Sequence, residues 1–295
     1  MNTCRNIKKL VTAHVTIEGA GVRLQRAIGF DDPYRYDPFL LLDDFRSDTP
    51  SEYIKGFPWH PHRGIETITY VLEGAVTHED SIGNRGSIEN GAVQWMTAGS
   101  GIYHQEMPEG DKNGSLSGFQ VWANLPARYK MMEPRYREIK AENIPEVNEK
   151  NGVCIKIIAG TYENTTGPVT DVVTSPEYYD VFIPAQTEYL LHTKKENTVI
   201  FYIFAGEGTI VTEGDKSEIP PRNTKVQNRT LLLFGEGDVI KIKTAKESLR
   251  FLFLAGKPLK EPIAWYGPIV MNNDEELRTA YEELSNGTFV KQGKQ

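Results

Sequence analysis

Short apolar or alternating runs recur along nearly the whole chain, at 11–17, 39–43, 65–72, 92–97, 119–125, 153–158, 198–204, 231–234, 239–242 and 249–254. Runs this short, rich in Val, Ile, Leu and aromatic residues, predict strands rather than helices. Glycine-bearing turns separate many of them, including Glu73-Gly74, Gly83-Asn84, Asn90-Gly91, Gly206-Glu207-Gly208 and Gly235-Glu236-Gly237. Many short strands with turn signals between them describe a barrel or double sheet. One helix is expected, at the C-terminal end. Asn273 supplies its cap, Asp274, Glu275 and Glu276 an acidic first turn, and Leu277, Ala280, Tyr281 and Leu284 an apolar face that ends at Asn286-Gly287. That face predicts packing on the sheets.

The segment 128–152 is polar and charged and reads as a connection, which places the expected domains at 1–145 and 146–295. A faint repeat supports two related halves. Tyr70-Val-Leu-Glu-Gly74 and Tyr202-Ile-Phe-Ala-Gly206 match at a fixed offset, under which His192 falls opposite His60 but Lys194 falls opposite His62 and Thr198 opposite Glu66. If the halves are copies, the second has lost its chemistry.

Composition narrows the class. With 295 residues, 39% hydrophobic and 25% charged, the chain is globular rather than disordered or coiled-coil. The 26 glycines and 17 prolines favour turns over long helices. No run approaches the roughly twenty apolar residues that cross a bilayer, so no membrane partner is expected. A net charge of −7 leaves no excess of cations for a phosphate backbone, so direct nucleic-acid binding is not expected. Two cysteines give no disulfide framework, and the first ten residues carry Arg5, Lys8 and Lys9 without an apolar stretch behind them. These features set a cytoplasmic expectation, and a monomer is expected.

The candidate chemistry lies in the histidines. His60-Pro61-His62, within Phe57-Pro-Trp-His-Pro-His-Arg-Gly64, puts two imidazoles on one face of an extended segment. His104-Gln105-Glu106 repeats that geometry downstream, so two short strands can aim two ligands each at one centre. Mixed nitrogen and oxygen ligands suit a divalent transition metal: iron, manganese, nickel, copper or zinc. Glu66 shares parity with His60 and His62 and competes with Glu106 for the carboxylate position. Glu106, beside His104 by strand geometry, is preferred as ligand, and Glu66 is read as a hydrogen-bond partner of a ligand histidine or of Arg63. His14 and His78 are expected to be exposed strand residues, and His192 to stand alone.

These residues resemble the pirin family of the cupin superfamily. The matching segments are Asp37-Pro-Phe-Leu-Leu-Leu-Asp-Asp-Phe45, Phe57-Pro-Trp-His-Pro-His-Arg-Gly-Ile-Glu-Thr67, Tyr70-Val-Leu-Glu-Gly74, His78-Glu-Asp-Ser81, Gly91-Ala-Val-Gln-Trp-Met-Thr-Ala-Gly-Ser-Gly-Ile-Tyr-His-Gln-Glu-Met-Pro108 and Pro262-Ile-Ala-Trp-Tyr-Gly-Pro268. Thr97-Ala-Gly99 stands where most cupins have Pro-x-Gly, and Trp59 where many relatives have Asp. The resemblance implies an all-β bicupin of two facing antiparallel barrels with a short C-terminal helix. The metal would sit in the first barrel only, bound by His60, His62, His104 and Glu106, and be Fe(II). It also implies two kinds of role: cleavage of the flavonol quercetin with dioxygen, as in several bacterial members, or iron-dependent regulation of a protein partner, as in animal ones.

On the enzyme reading, a small enol and O2 are the substrates, Glu106 is also the general base, and Phe57, Trp59, Met96 and Phe119 wall the pocket, Trp59 narrowing its entrance. The alternative is a non-enzymatic metal or redox sensor that acts by contact with a protein partner. A structural metal should be closed off, whereas an enzyme keeps an open position and a cavity for a planar ligand.

Overall fold

Almost every apolar run found above lies in a strand. The run 65–72 falls in Ile65–Glu73, 119–125 mostly in Ser117–Asn124, 198–204 in the long strand Thr198–Val211 and 249–254 in Leu249–Gly256. The computed structural model describes residues 3–212 and 223–291. Among these the chain is mostly strands with one α-helix, Asp274–Ser285. The run 11–17 breaks at Ala13: Ile7–Thr12 pairs with Thr230–Phe234, and His14–Glu18 pairs with Val22–Ile28.

The chain forms two units, one of residues 14–143 and 259–295, the other of residues 1–13 and 144–258. The chain crosses between them near 143–144 and again near residues 13 and 258. The first strand is an edge strand in the second unit's sheet, and the C-terminal segment belongs to the first unit. Nothing in the local pattern of either segment announces this, because strand and helix propensity do not specify a partner. The segment 128–152 is also more than a connection. Arg135–Ile139 pairs with Val93–Thr97, and Glu146–Asn148 pairs with Cys154–Ala159. Each lies at the edge of its sheet, where charged side chains are the rule.

The first unit is built from two open antiparallel sheets. One holds seven strands in the order Arg135–Ile139, Val93–Thr97, Ile65–Glu73, Ser117–Asn124, Phe39–Asp44, Val22–Ile28, His14–Glu18. The other holds four, in the order Phe57–His62, Ile102–Glu109, Ala75–Asp80, Arg85–Ile88. Register decides which side chains share a face. Thr67 pairs with Met96 and Trp122, Trp122 with Leu41, Thr69 with Gln94 and Gln120, and Gln120 with Asp43. One face of the seven-stranded sheet therefore carries Thr67, Thr69, Gln94, Gln120 and Asp43 among its members, while Ile68, Tyr70, Trp95 and Val121 take the opposite face.

The C-terminal segment closes this unit. A hairpin of Ala264–Tyr266 and Ile269–Met271 bridges to Arg63 through Ile269. The helix packs on the hairpin around Ile269, Met271, Ala280 and Phe289. The Asn273 side chain accepts from Glu276 N at 2.9 Å, the capping contact its sequence predicts.

In the second unit a central sheet includes Thr198–Val211, Leu249–Gly256 and Glu177–Ile183. Its interior is filled by aromatic and aliphatic side chains. Phe201 stacks on Phe251 at 4.3 Å and Tyr179 on Phe253 at 5.0 Å. The position opposite His60 in the repeat, His192, is exposed at a strand end.

Candidate metal centre and its cavity

His60, His62 and His104 come together because two antiparallel neighbours place them there. His104 pairs with His60, and Ile102 with His62. The register then slips, since Glu106 pairs with Phe57, leaving an extra residue in the strand at Pro58-Trp59. This bulge turns Phe57 onto the same side as His60 and His62 despite its opposite parity, and all three line one cavity. After His62 the chain reverses at Gly64, whose φ is 77°. A Cβ there would lie 1.9 Å from the Val270 carbonyl oxygen, so only glycine fits.

The potential ligand atoms of the three histidines lie within 4.8 Å of one another. His60 Nδ1 is 2.9 Å from the Pro58 carbonyl and His62 Nδ1 is 3.3 Å from the Pro268 carbonyl, so each ring donates there and turns Nε2 inward. The two Nε2 atoms then face each other at 3.1 Å, and the buried His104 Nε2 has no hydrogen-bond partner. Burial, with neighbouring histidines adding to it, holds His62 and His104 well below the usual imidazole range, so both are neutral at pH 7. Neutral imidazoles with converging lone pairs fit a divalent transition metal.

Glu106 lies two residues beyond His104 and is buried. Thr69 Oγ1 donates to its Oε1 at 3.0 Å and Gln120 Nε2 to its Oε2 at 2.9 Å. Gln120 is oriented in turn by Trp122, whose Nε1 donates to Gln120 Oε1 at 3.1 Å. The chain Trp122, Gln120, Glu106 therefore fixes the carboxylate.

Glu66 is elsewhere. It pairs with Thr97 and Ala123 and so points to the face opposite Thr67, Met96 and Trp122. Thr97 Oγ1 donates to its Oε1 at 2.7 Å. Burial raises its carboxyl, offset by the side chains of Thr97 and Trp95 and by the charges of Arg135 and Arg137. The parity argument from His60 fails because the turn at Arg63-Gly64 separates two sheets, and alternation does not carry across it.

The cavity beside the imidazoles measures about 480 Å³ and is walled by Phe30, Leu41, Phe57, Trp122 and Pro268, with Gln120, Arg26, Asp43 and Glu18 supplying polar atoms. Trp122 meets His62 edge-on at 5.0 Å. Of the residues expected to wall the pocket, only Phe57 lines it. Trp59 is 47% exposed and outside the lining, because the bulge turns it away, so it does not narrow the entrance. Met96 is packed with Ile65, Ile102 and Trp122, and Phe119 pairs with Tyr70 on the far face.

Three more histidines complete the account. His14 and His192 are exposed. His78 is buried rather than exposed, because it pairs with Glu106 across the four-stranded sheet, and its Nε2 meets the Tyr136 hydroxyl, itself 3.0 Å from Gln94 Nε2. Sequence reading missed Thr69, Gln120, Trp122, Arg26 and Asp43. For Thr69, Gln120 and Asp43 the signal was a polar residue within a largely apolar run; Arg26 and Trp122 carried none.

Comparison with known proteins places the chain in a family. The chain matches the Pirin family model over residues 21–123 and the Pirin C-terminal cupin domain over residues 178–290. A Pseudomonas aeruginosa protein, provisionally named a quercetin 2,3-dioxygenase, is 43% identical over 98% of this chain and 100% of its own length. The crystal structure of a quercetin 2,3-dioxygenase from Acinetobacter baumannii superposes with a TM-score of 0.84 at 30% identity, over 97% of this chain and 99% of that one. A bacterial pirin from Escherichia coli, solved in complex with nickel(II), shares the fold with a TM-score of 0.62 at 21% identity, over 85% of this chain and 98% of that one.

Proposed function

The chain belongs to the pirin family, and from that premise we propose that it is a metal-dependent dioxygenase cleaving a flavonol such as quercetin, or a related small enol, with dioxygen. One divalent ion, Fe(II), would be held by His60, His62, His104 and Glu106. The observation that carries the reading is the convergence of three imidazoles beside a cavity of about 480 Å³ with aromatic walls. A metal serving only the fold needs no such space.

The bound ion would supply a Lewis acid that draws on the enol oxygen and brings it together with dioxygen. The rest of the work falls to this chain's side chains. Phe30, Phe57 and Trp122 receive a flat ring and displace water from it. Glu106, aimed by Thr69 and Gln120, accepts the hydroxyl proton, and its two oxygens keep lone pairs beyond the bonds that orient it. The carbonyls of Pro58 and Pro268 hold the rings of His60 and His62 in one tautomer.

The test is metal content on protein purified without chelators, coupled to dioxygen uptake with and without quercetin. One metal per chain and dioxygen consumption matching quercetin loss support the reading. Uptake no greater than that of free iron would overturn it in favour of a sensor that binds a protein partner.

A further inference from the structure

The cavity wall contains an ion-pair cluster that neither metal binding nor proton transfer uses. Arg26 donates from Nε to Asp43 Oδ1 at 2.8 Å and from a terminal nitrogen to Asp43 Oδ2 at 2.7 Å, and its other terminal nitrogen donates to Glu18 Oε1 at 2.7 Å. The side chains of Arg26 and Asp43 are 8% and 7% exposed, while that of Glu18 is 39% exposed. The backbone locks Glu18 in place: it precedes Gly19, where a Cβ would lie 2.5 Å from the Gly56 carbonyl oxygen, and Ala20 N donates to that same oxygen at 3.0 Å.

A buried ion pair gives little net stability, because desolvation consumes most of its attraction. Here it stands in the wall of a cavity otherwise lined by Phe30, Leu41 and Trp122, where apolar residues would fold as well. We propose that Glu18 and Asp43, held by Arg26, form a hydroxyl-reading subsite that selects neutral phenolic aromatic substrates and rejects those carrying a carboxylate; the proposal rests on the dioxygenase reading for the reacting end of the substrate. Two carboxylates against one guanidinium leave the cluster with a net negative charge. Arg26 already spends three of its N–H groups on carboxylates, so an incoming anion meets repulsion without a free cation. An incoming hydroxyl finds acceptors, since each Asp43 oxygen takes one N–H and retains a second lone pair.

The test uses the full-length, iron-loaded protein without dioxygen and follows quenching of its tryptophan fluorescence by quercetin, by 3-hydroxyflavone, which lacks the ring hydroxyls, and by 3-hydroxyflavone with a 4′-carboxylate. Wild type should bind quercetin about tenfold or more tighter than 3-hydroxyflavone, the scale of a hydrogen bond to a charged acceptor, and bind the carboxylate analogue most weakly. Glu18→Ala should lower quercetin affinity about tenfold and leave 3-hydroxyflavone within about twofold. Glu18→Gln, which removes one negative charge, should narrow the penalty on the carboxylate. Asp43→Asn is the companion variant, but it strands Arg26, so the half-exposed Glu18 carries the decision.

Equal binding of quercetin and 3-hydroxyflavone by wild type, or equal loss of both in Glu18→Ala, would overturn the subsite and leave the dioxygenase reading standing. Failure of both flavonols to bind metal-loaded wild type would overturn the two together.

Discussion

Two Nε2 atoms face each other at 3.1 Å, each with its ring's Nδ1 at a carbonyl, an arrangement that suits a metal ion bound by both rings. His62→Ala should therefore reduce metal from about one per chain to below about one tenth, as measured by plasma mass spectrometry, with the circular dichroism of the sheets unchanged. At Glu106 the expectation divides metal from turnover. Glu106→Gln keeps an oxygen that can coordinate but not the proton acceptor, so metal should be retained in part while dioxygen uptake falls about a hundredfold or more. Glu66→Gln should leave both unchanged, because Glu66 faces away from the cavity. Its effect is on stability. Burial holds the Glu66 carboxyl above its unfolded value, so the folded chain keeps that proton longer as pH rises, and stability is lost as pH climbs from the unfolded value through the folded one. Glu66→Gln should match or exceed wild type in urea at pH 7, and the gap should close toward pH 4.5. The convergent histidines were legible because alternation within one strand is local. Glu66 misled because its parity was counted across a change of sheet.

The strand Phe57–His62, which carries His60 and His62, relies on elements distant in sequence. Arg63, adjacent to His62, is buried, donates to Glu283 Oε2 at 2.6 Å and to the Phe289 carbonyl at 2.9 Å, and lies 4.2 Å from the Phe289 ring centroid. Pro268, in the turn of the C-terminal hairpin, takes the His62 Nδ1 contact. Glu283→Ala leaves a buried guanidinium without its carboxylate and should destabilise the protein by about 2 kcal/mol, the low side for a buried pair because Glu283 is 23% exposed. The measurable consequence is a lower Tm together with metal affinity weakened about tenfold, since an outer support of a ligand is loosened. A Tm loss with unchanged metal affinity would show that the helix supports the fold alone. The helix itself was legible from its cap and apolar stripe, whereas its partner was not. The same holds for His78, whose burial follows from its pairing with Glu106 and from nothing local.

The chain passes between its two units near residues 13, 143 and 258, so neither unit is a continuous segment. A fragment of residues 1–145 would lack the hairpin and helix of the unit that carries the three histidines and would hold a first strand with no partner, and it should be insoluble or fail to hold metal. Residues 14–143 joined by a flexible linker to 259–291 should be soluble and bind one metal, read by gel filtration and metal analysis; the reverse outcome would remove the exchanged termini from the account. Local chemistry was enough to determine much of this protein. Short apolar runs between glycine turns specify strands, Asn273 and its acidic neighbours specify a helix start, and His60-x-His62 and His104-x-Glu106 specify pairs of same-face side chains, because each depends on residues only a few positions apart. Tertiary structure decided the rest. Alternation does not say which face of Ile65–Glu73 shares a side with the cavity wall, and here Thr67 and Thr69 lie on the sheet face of the cavity-lining Trp122 and Gln120, while Ile68 and Tyr70 take the opposite face. Strand pairing likewise brought Arg26 and Asp43 into the cavity wall, aimed Glu106 through Gln120, and fixed which unit each terminus completes, because register and partner choice are properties of the assembled sheets.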